Sequence, residues 1–489
     1  MKKLFIFSLV LVLCLSCQNS AKQNIERPKL VVGIVIDQMR WDYLYRYYDR
    51  YGDEGFKRLL NGGFSCENTM LNYIPTYTAV GHASIYSGSV PSINGIAGND
   101  FIHQKTGKWV NCVKDTTCFA VGIDGNAKAG KCSPRNLLAT TITDELKLAT
   151  DFRSKVIGIA LKDRASILPA GHAADAAYWF NDSAKQWLTS TFYTKELPEW
   201  LKNHNKQNFP ENVFGTPYGN TMTFEMARLA IENEGLGKNS VTDFLALSCS
   251  SPDYIGHQFG INSQEIETCY TSLDKELADF FKFLDKKIGK NNYLLFLTAD
   301  HACAHNAQFL IDHNINSDIF NDAKILKNLN DYLKKIFGKD NIVMSLNNYQ
   351  VNFDYKNIDK IPREKLIANC IEFLEKEPSV QYVVEQQKVA QASVPQAVKE
   401  RIINGYHREY SGEIQIIVKP AYYHADNYFG STHGTWNPYD SHIPLIFYGW
   451  GIKKGSTCRE VYITDIAPTL AALLKIQMPN GCIGKPIMY

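Results

Sequence analysis

Acidic and histidine side chains follow three apolar segments of the chain, close to the point where each segment ends. Carboxyl ends of parallel strands gather at one edge of a sheet, and ligand sites form there. We therefore expect these side chains to lie close together. They are Asp37 after LVVGIVI, Asp253 and His257 after TDFLALSCS, and Asp300 and His301 after YLLFLT.

The types and spacing of these residues predict a metal site. Asp253 and His257 are four residues apart in SPDYIGH, so one helical turn would put both on the same face. His433, in FGSTHGTWN, lies between glycines that suit a loop folded closely around an ion. Carboxylates and imidazoles without a thiolate favour zinc over manganese or iron. Because six ligands are too many for one tetrahedral catalytic ion, we predict two zinc ions, roughly 4 Å apart.

Each ligand considered alone has a plainer explanation. An aspartate at a strand end is more often a helix cap or a turn residue. A histidine beside glycine is more often hydrogen-bonded than metal-bound, so His82 and His172 are not included in the site. Independent capping does not explain why aspartate and histidine recur together after successive strands. The set as a whole therefore supports the metal site.

The stretch IPTYTAVGHASIYSG holds two threonines, Thr76 and Thr78, on a turn that begins with proline. A threonine hydroxyl is a weak nucleophile at neutral pH, and no Ser/His/Asp arrangement surrounds this stretch. A metal ion solves this problem by stabilising the alkoxide. We predict that Thr78 is the nucleophile. The first zinc site would consist of Asp37, Thr78, Asp300 and His301, and the second of Asp253, His257 and His433.

Short apolar, β-branched runs recur along the chain and predict strands that are buried on both faces. They alternate with helical patterns such as SQEIETCYTSLDKELADFFKFLDKKIG, where Gly289 marks the stop. This alternation predicts an α/β fold with a large, mostly parallel central sheet flanked by helices. The predicted strands are LVVGIVI, KVIGIAL, TDFLALS, YLLFLT, EIQIIVK and IPLIFYG.

Two long intervals, 171–240 and 302–433, lack the regular alternation and are predicted to be insertions that cap or flank the sheet. Within the second, QQKVAQASVPQAVKERI is polar and broken by proline, which predicts an exposed helix-turn-helix. We expect residues 23–489 to form a single catalytic domain with these two insertions.

The first residues, MKKLFIFSLVLVLCLSC, have the charge and length pattern of a secretory signal peptide, which we assign to residues 1–17. The apolar run is too short for a bilayer-crossing helix. Leu15, Ser16 and Cys17 also resemble a bacterial lipoprotein cleavage site, although Cys14 departs from that pattern. The sequence leaves open whether the exported protein is released or carries a lipid anchor at Cys17.

The net charge bears on possible nucleic-acid partners, and the cysteine content bears on possible disulfides. The net charge of +2 falls to zero without Lys2 and Lys3, so no general attraction to nucleic acid is expected. Of twelve cysteines, ten lie beyond the signal peptide, and an even number in an exported chain predicts disulfides. We expect at least one local bridge among Cys112, Cys118 and Cys132.

Five motifs together resemble the alkaline phosphatase superfamily, in its type I phosphodiesterase/nucleotide pyrophosphatase branch. The resemblance implies an alkaline phosphatase-like fold, two zinc ions per chain and a covalent phosphothreonine on Thr78, with Thr76 as a structural loop residue. The motifs are VIDQMRWD, PTYTAVGHASIYSGSVPSINGIAGNDF, SPDYIGH, TADHA and THGTWNPYDSHIPLIFYG, in that order.

Three further polar residues indicate the kind of ester. A phosphate monoester carries more charge than a diester, so its enzyme needs donors beyond the metals. Asn99 follows the nucleophile loop, and Lys162 and Arg164 follow the predicted strand KVIGIAL. These residues are similar to those of PafA-type alkaline phosphatases of the bacterial periplasm.

This similarity implies an exported phosphomonoesterase, periplasmic or outer-membrane-associated, that acts on small-molecule phosphate monoesters. The alternative is a phosphodiesterase or nucleotide pyrophosphatase that uses the same two-metal site.

Overall fold

The computed structural model describes residues 26–425 and 427–488. The predicted signal peptide, residues 1–17, and the anchor position Cys17 lie outside these residues. Within the described part of the chain, no helix is both long enough and apolar enough to cross a bilayer.

Strands occur along almost the whole described chain. They are β1 (Leu30–Ile36), β2 (Phe64–Met70), β3 (Asp100–His103), β4 (Lys108–Asn111), β5 (Ala120–Val121), β6 (Val156–Ala160), β7 (Ala176–Asn181), β8 (Gln186–Ser190), β9 (Asp243–Cys249), β10 (Tyr293–Thr298), β11 (Asp318–Ile319), β12 (Val343–Ser345), β13 (Gln350–Phe353), β14 (Val380–Glu385), β15 (Ile414–Val418), β16 (Tyr422–Tyr423), β17 (His442–Ile443), β18 (Leu445–Gly449) and β19 (Gly455–Tyr462).

An 11-stranded sheet forms the centre of the molecule, in the order β17-β2-β18-β10-β1-β9-β6-β7-β8-β5, with β19 paired to β2. The five strands β10, β1, β9, β6 and β7 are parallel to one another. Antiparallel pairs join β18 to β10 on one side and β8 to β7 on the other. The predicted α/β class is confirmed, and the sheet is mixed because antiparallel pairs border its five parallel strands on both sides.

Helices cover the sheet. The long helix starts where Ser263 accepts a hydrogen bond from the N–H of Ile266 and stops before Gly289, as the sequence pattern predicted. The helices are α1 (Tyr43–Arg46), α2 (Phe56–Gly62), α3 (Thr78–Ser87), α4 (Pro91–Asn94), α5 (Ile142–Ala149), α6 (Asp163–Ala170), α7 (Glu199–His204), α8 (Tyr218–Glu234), α9 (Ser251–Phe259), α10 (Gln264–Lys287), α11 (Ala307–Asp312), α12 (Asp322–Phe337), α13 (Arg363–Leu374), α14 (Gln396–Gly405), α15 (Pro438–Ser441) and α16 (Ile466–Leu474).

The two irregular intervals differ in what they build. Interval 171–240 extends the central sheet with β7 and β8. Interval 302–433 forms a separate four-stranded sheet, β12-β13-β15-β14, which packs with α12 and α13 around its own apolar core. The predicted strand EIQIIVK is β15 of this smaller sheet. Its buried pattern matched that of a central strand, and burial alone does not reveal which sheet a strand joins.

The expected disulfides are not present among the described residues, where all ten cysteines are free. Cys112, Cys118 and Cys132 are each buried, and the Cys132 thiol lies 3.7 Å from the carbonyl oxygen of Ala129. The prediction of a local bridge was wrong, since the three thiols are free and buried, where cysteine behaves as a small apolar residue.

One buried carboxylate ties α5 to the loop before β7. Asp144 accepts hydrogen bonds from the N–H groups of Thr141, His172 and Ala173 at 2.9, 2.7 and 2.8 Å. Asp144→Ala leaves these donors without a partner, so we expect the free energy of unfolding to fall by about 2–4 kcal/mol. Urea unfolding of both proteins measures this difference.

The pairing of the Asp144 carboxylate with the His172 imidazole makes this loss of stability depend on pH. Burial raises the pKa of Asp144, but the hydrogen bond and charge of His172 together with the backbone N–H donors outweigh burial, and the pKa is lowered. That hydrogen bond raises the pKa of His172. The carboxylate therefore loses its contribution as the pH falls, and the imidazolium loses its contribution as the pH rises through the raised value. The effect should be largest between the ordinary pKa values of aspartate and histidine, about 3.9 and about 6.5. The exposed ion pair of Asp182 is the control, since Asp182→Ala should cost under about 0.5 kcal/mol; an equal loss in both variants contradicts the prediction.

Candidate active site

Three neighbouring parallel strands carry the predicted acids to one edge of the sheet. Strand β1 lies between β9 and β10, with Ile36 opposite Cys249 and Val35 opposite Thr298. Asp37 therefore emerges beside the chain segments that hold Asp253 and Asp300. The predicted gathering of these carboxylates at the carboxyl edge is what the structure has.

The first cluster contains Asp37, Asp300 and His301, whose ligand atoms all lie within 4.8 Å of one another. Nε2 of His301 is 3.5 Å from Oδ1 of Asp37 and 3.6 Å from Oδ2 of Asp300. The hydroxyl oxygen of Thr78 is 3.5 Å from the same Nε2. All four side chains are buried. The four predicted members of the first site are thus adjacent.

Two oxygens of this cluster, Oδ1 of Asp37 and Oδ2 of Asp300, are buried and have no hydrogen-bond partner among the described residues, although Nδ1 of His82 lies 3.4 Å from Oδ2 of Asp300. Unpaired buried carboxylate oxygens are costly unless a cation neutralises them. Burial and the nearby Asp300 carboxylate raise the pKa of Asp37 well above its ordinary value. Two converging carboxylates and an imidazole nitrogen fit a divalent cation of the zinc type.

The second cluster forms around Asp253. Its Oδ1 is 3.0 Å from Nε2 of His257 and 3.6 Å from Nε2 of His433. Nδ1 of His257 lies 2.7 Å from the carbonyl oxygen of Ser431, and Nδ1 of His433 lies 2.6 Å from that of Thr76. A proton on each Nδ1 would be donated to these carbonyls, which leaves each Nε2 lone pair facing the carboxylate.

The two clusters share His301. Its ring stacks on that of His433 with centroids 3.5 Å apart, and Asp253, His301 and His433 form a second trio within 4.8 Å. The sequence prediction assigned His301 to the first site alone and His257 to the second. In the structure, His301 belongs to both trios. His257 is in neither trio but contacts Asp253, so the two predicted ligand sets lie side by side.

Lys162 bridges the two clusters. Its Nζ lies 2.6 Å from Oδ2 of Asp37 and 2.6 Å from Oδ2 of Asp253, and its side chain is 2% exposed. Burial would lower the pKa of Lys162, but the carboxylates of Asp253 and Asp37 outweigh burial and raise it. An ammonium group therefore sits between the ligand sets, stabilised in its charged form by the two carboxylates.

Arg164 and Asn99 lie nearby without contacting the carboxylates of the clusters. Lys162 occupies the N-cap position of α6 without a side-chain hydrogen bond to the helix. Arg164 is in the first turn, and its buried Nε has no hydrogen-bond partner within the described part of the chain. The amide oxygen of Asn99 accepts a hydrogen bond from the N–H of Ala79 at 2.9 Å. This bond fixes the Asn99 amide beside Thr78 and leaves its NH₂ group as the remaining donor.

Thr78 is the first residue of α3, after Tyr77 in an extended conformation. The first N–H groups of a helix are unpaired, so this end attracts negative charge. Gly81 lets α3 pack against the first cluster, because a Cβ there would lie 2.2 Å from the backbone oxygen of Asp300. Helix packing thus brings Thr78 to the clusters.

Two residues that hold the site were not predicted. Gln38 donates from its N–H to Oδ1 of Asp300 at 3.2 Å and from Nε2 to Oδ1 of Asp253 at 2.7 Å. His82 uses both ring nitrogens, on the Thr78 carbonyl oxygen at 2.8 Å and the Ser248 hydroxyl at 2.9 Å. Gln38 adjoins Asp37 in sequence, which was the available signal. His172 lies against Asp144, apart from this site.

Comparison with protein families assigns the chain to a class. The family described as type I phosphodiesterase / nucleotide pyrophosphatase matches residues 31–440. The chain belongs to this family, and the predicted alkaline phosphatase superfamily is confirmed.

Individual relatives place it more narrowly. The alkaline phosphatase PafA of Elizabethkingia meningoseptica is 47% identical over 95% of this chain and 94% of its own. The solved structure of wild-type PafA matches with a TM-score of 0.92 at 46% identity, covering 95% of this chain and 99% of that one. A Myroides odoratus protein named calcium-transporting ATPase is 51% identical over 96% of this chain and 95% of its own. The predicted alkaline phosphatase-like fold and enzyme class are confirmed.

Proposed function

We propose that this phosphatase hydrolyses phosphate monoesters through a covalent phosphothreonine on Thr78. The observation that carries the proposal is the convergence of three buried aspartates and three histidines in two adjoining clusters, with the Thr78 hydroxyl 3.5 Å from Nε2 of the shared His301. Two zinc ions per chain would be held by the two predicted ligand sets, one including Thr78. Bound zinc would supply Lewis acidity that makes the Thr78 hydroxyl a nucleophile at neutral pH.

Side chains of the protein would carry out the attack on phosphorus and the binding of the phosphoryl group. The Thr78 hydroxyl loses its proton, its oxygen forms a bond to phosphorus as the bond to the leaving oxygen breaks, and that oxygen takes up a proton from solvent to depart as the alcohol. Water then splits the phosphothreonine, which releases phosphate and restores the Thr78 hydroxyl. Lys162, Arg164 and the Asn99 amide would bind the non-bridging oxygens. Lys162 lies between the ligand sets, so it can meet an oxygen of a phosphoryl group that spans them.

Lys162 also favours monoesters over diesters. A monoester dianion gains more from a fixed positive charge than a diester monoanion does. The alternative, a phosphodiesterase or nucleotide pyrophosphatase with the same metal site, agrees with the description of the family. A phosphodiesterase reaction would not require the buried ammonium group of Lys162, and the monoesterase reaction would. Export through the signal peptide to the periplasm or the outer membrane would bring the enzyme to small phosphate esters outside the cytoplasm.

Hydrolysis of p-nitrophenyl phosphate and bis-p-nitrophenyl phosphate by the purified protein tests the proposal, with ATP as a third substrate. We expect kcat/KM to be higher for the monoester by about 10²-fold or more. Chelation should abolish activity, and zinc should restore it better than magnesium. Metal analysis should find two zinc ions per chain. Preference for the diester, or full activity after chelation, would contradict the proposal.

A further inference from the structure

Helix α14, in the second insertion, packs directly on the segment that leads to Thr78. The N–H of Ile74 donates to the carbonyl oxygen of Arg401 at 3.2 Å. Nδ2 of Asn404 donates to the carbonyl oxygen of Asn72 at 2.7 Å. Two backbone groups of the segment are thus fixed by residues more than 300 positions later in the chain.

Gly405 makes this approach possible. A Cβ at Gly405 would lie 1.7 Å from the carbonyl oxygen of Ile74 and 2.9 Å from its carbonyl carbon. Both atoms are backbone, so no side-chain rotation relieves the clash. Any larger residue at position 405 must therefore displace either α14 or the segment around Ile74.

The side chain of Ile74 anchors the same contact. It is buried in an apolar cluster formed by residues of α14, β14, β15 and the turn between them. The segment is therefore packed against α14 and the smaller sheet of the insertion. The other buried members of the cluster are Val384, Val389, Val398, Ile402 and Ile417.

The segment is held from a second direction two residues later. The hydroxyl of Thr76 donates to the carbonyl oxygen of Thr435 at 3.0 Å and accepts from the N–H of Gly434 at 3.0 Å. Only Tyr77 separates Thr76, which makes these contacts, from Thr78. A displacement at Ile74 is transmitted over four residues, a distance of at most about 14 Å.

We propose that Gly405 and Asn404 are positioning residues for the nucleophile. Through the backbone of Asn72 and Ile74, they hold the Thr78 oxygen at the distance from phosphorus that attack requires. This inference rests on the proposed role of Thr78. A displacement of about 1 Å at a reacting atom costs up to about 10²-fold in rate.

The test is the Gly405→Ala variant, with kinetics on p-nitrophenyl phosphate. We expect kcat to fall by about 10- to 100-fold. Lys162 and Arg164 do not contact the Asn72–Ile74 segment, so the inhibition constant of inorganic phosphate should stay close to wild type. Zinc content is measured for the variant, because Thr78 and the Thr76 carbonyl that holds His433 belong to the same loop, and kcat is compared per zinc-loaded chain. A merely structural role would lower Tm and leave kcat per folded, zinc-loaded chain unchanged.

A second variant covers the case in which Gly405→Ala does not fold. Asn404→Asp replaces the donor by a carboxylate that repels the Asn72 carbonyl, and kcat should fall by about 3- to 30-fold. Two controls should keep wild-type kcat. Gly125→Ala adds a Cβ whose nearest atom is 3.8 Å away, and Ile403→Ala trims a side chain of the same helix that is 46% exposed.

The outcomes separate the two proposals. If wild type hydrolyses the monoester and Thr78→Ala does not, but Gly405→Ala or Asn404→Asp folds with kcat within twofold of wild type, the positioning role is wrong. If wild type has no monoesterase activity, or Thr78→Ala keeps it, the proposed function itself fails.

Discussion

Thr78→Ala should lower kcat/KM for p-nitrophenyl phosphate by about 10⁴-fold or more, because no other described hydroxyl lies as close to the shared His301 nitrogen. Alanine keeps the helix start, and the Thr78 hydroxyl has no other hydrogen bond among residues 26–425 and 427–488. The free energy of unfolding should therefore change by less than about 1 kcal/mol. Steady-state kinetics and urea unfolding on the same preparation measure both quantities.

Thr76→Ala is the matched control, since it removes a hydroxyl two residues away. That hydroxyl joins the loop to Thr435 and Gly434, so its loss should destabilise the fold by about 1–2 kcal/mol and reduce the rate much less than Thr78→Ala. Thr78→Ser should keep partial activity. Mass spectrometry of acid-quenched wild type should find the phosphoryl group on the peptide that contains Thr78. Should Thr76→Ala be the inactive variant, Thr78 is not the nucleophile.

The position of the site carboxylates could be predicted because it follows from one rule: the carboxyl ends of parallel strands lie at the same edge of the sheet. LVVGIVI is fully buried as β1, and its neighbours β9 and β10 are the other two runs followed by acids. Once the alternation of strands and helices indicates a parallel core, Asp37, Asp253 and Asp300 must emerge at the same edge. No knowledge of the loops is required.

The residues that hold the site were not predictable from local patterns. Gln38, His82 and Gly405 act through contacts with partners far along the chain, and no periodicity marks such contacts. The same limit explains EIQIIVK, whose buried pattern does not specify its sheet, and the cysteines, whose count says nothing about their separation in space. Local sequence sets the elements, and packing between distant segments sets these contacts.

Removing both Lys162 and Arg164 should lower kcat/KM for the monoester by about 10²- to 10⁴-fold and for the diester by less than about tenfold. The monoester loses two charges that face its extra negative charge, whereas the diester depends mainly on the metals. The two single variants, Lys162→Ala and Arg164→Ala, show how the effect divides between the two side chains. Kinetics on p-nitrophenyl phosphate and its bis-ester measure the ratio.

Lys162→Ala would also affect the metal site, and this effect must be separated from the loss of substrate binding. It removes the ammonium group between Asp37 and Asp253, so the two carboxylates lose the positive charge that they share. Zinc content is therefore measured for every variant, and rates are compared per zinc-loaded chain. Lys155→Ala is the matched control, because Lys155 precedes the same strand β6 at its opposite end and pairs with Glu234 away from the site. It should leave both activities unchanged. Equal losses for monoester and diester in the double variant would mean that these cations support the metal site in general, and the monoesterase assignment would then lose its main support.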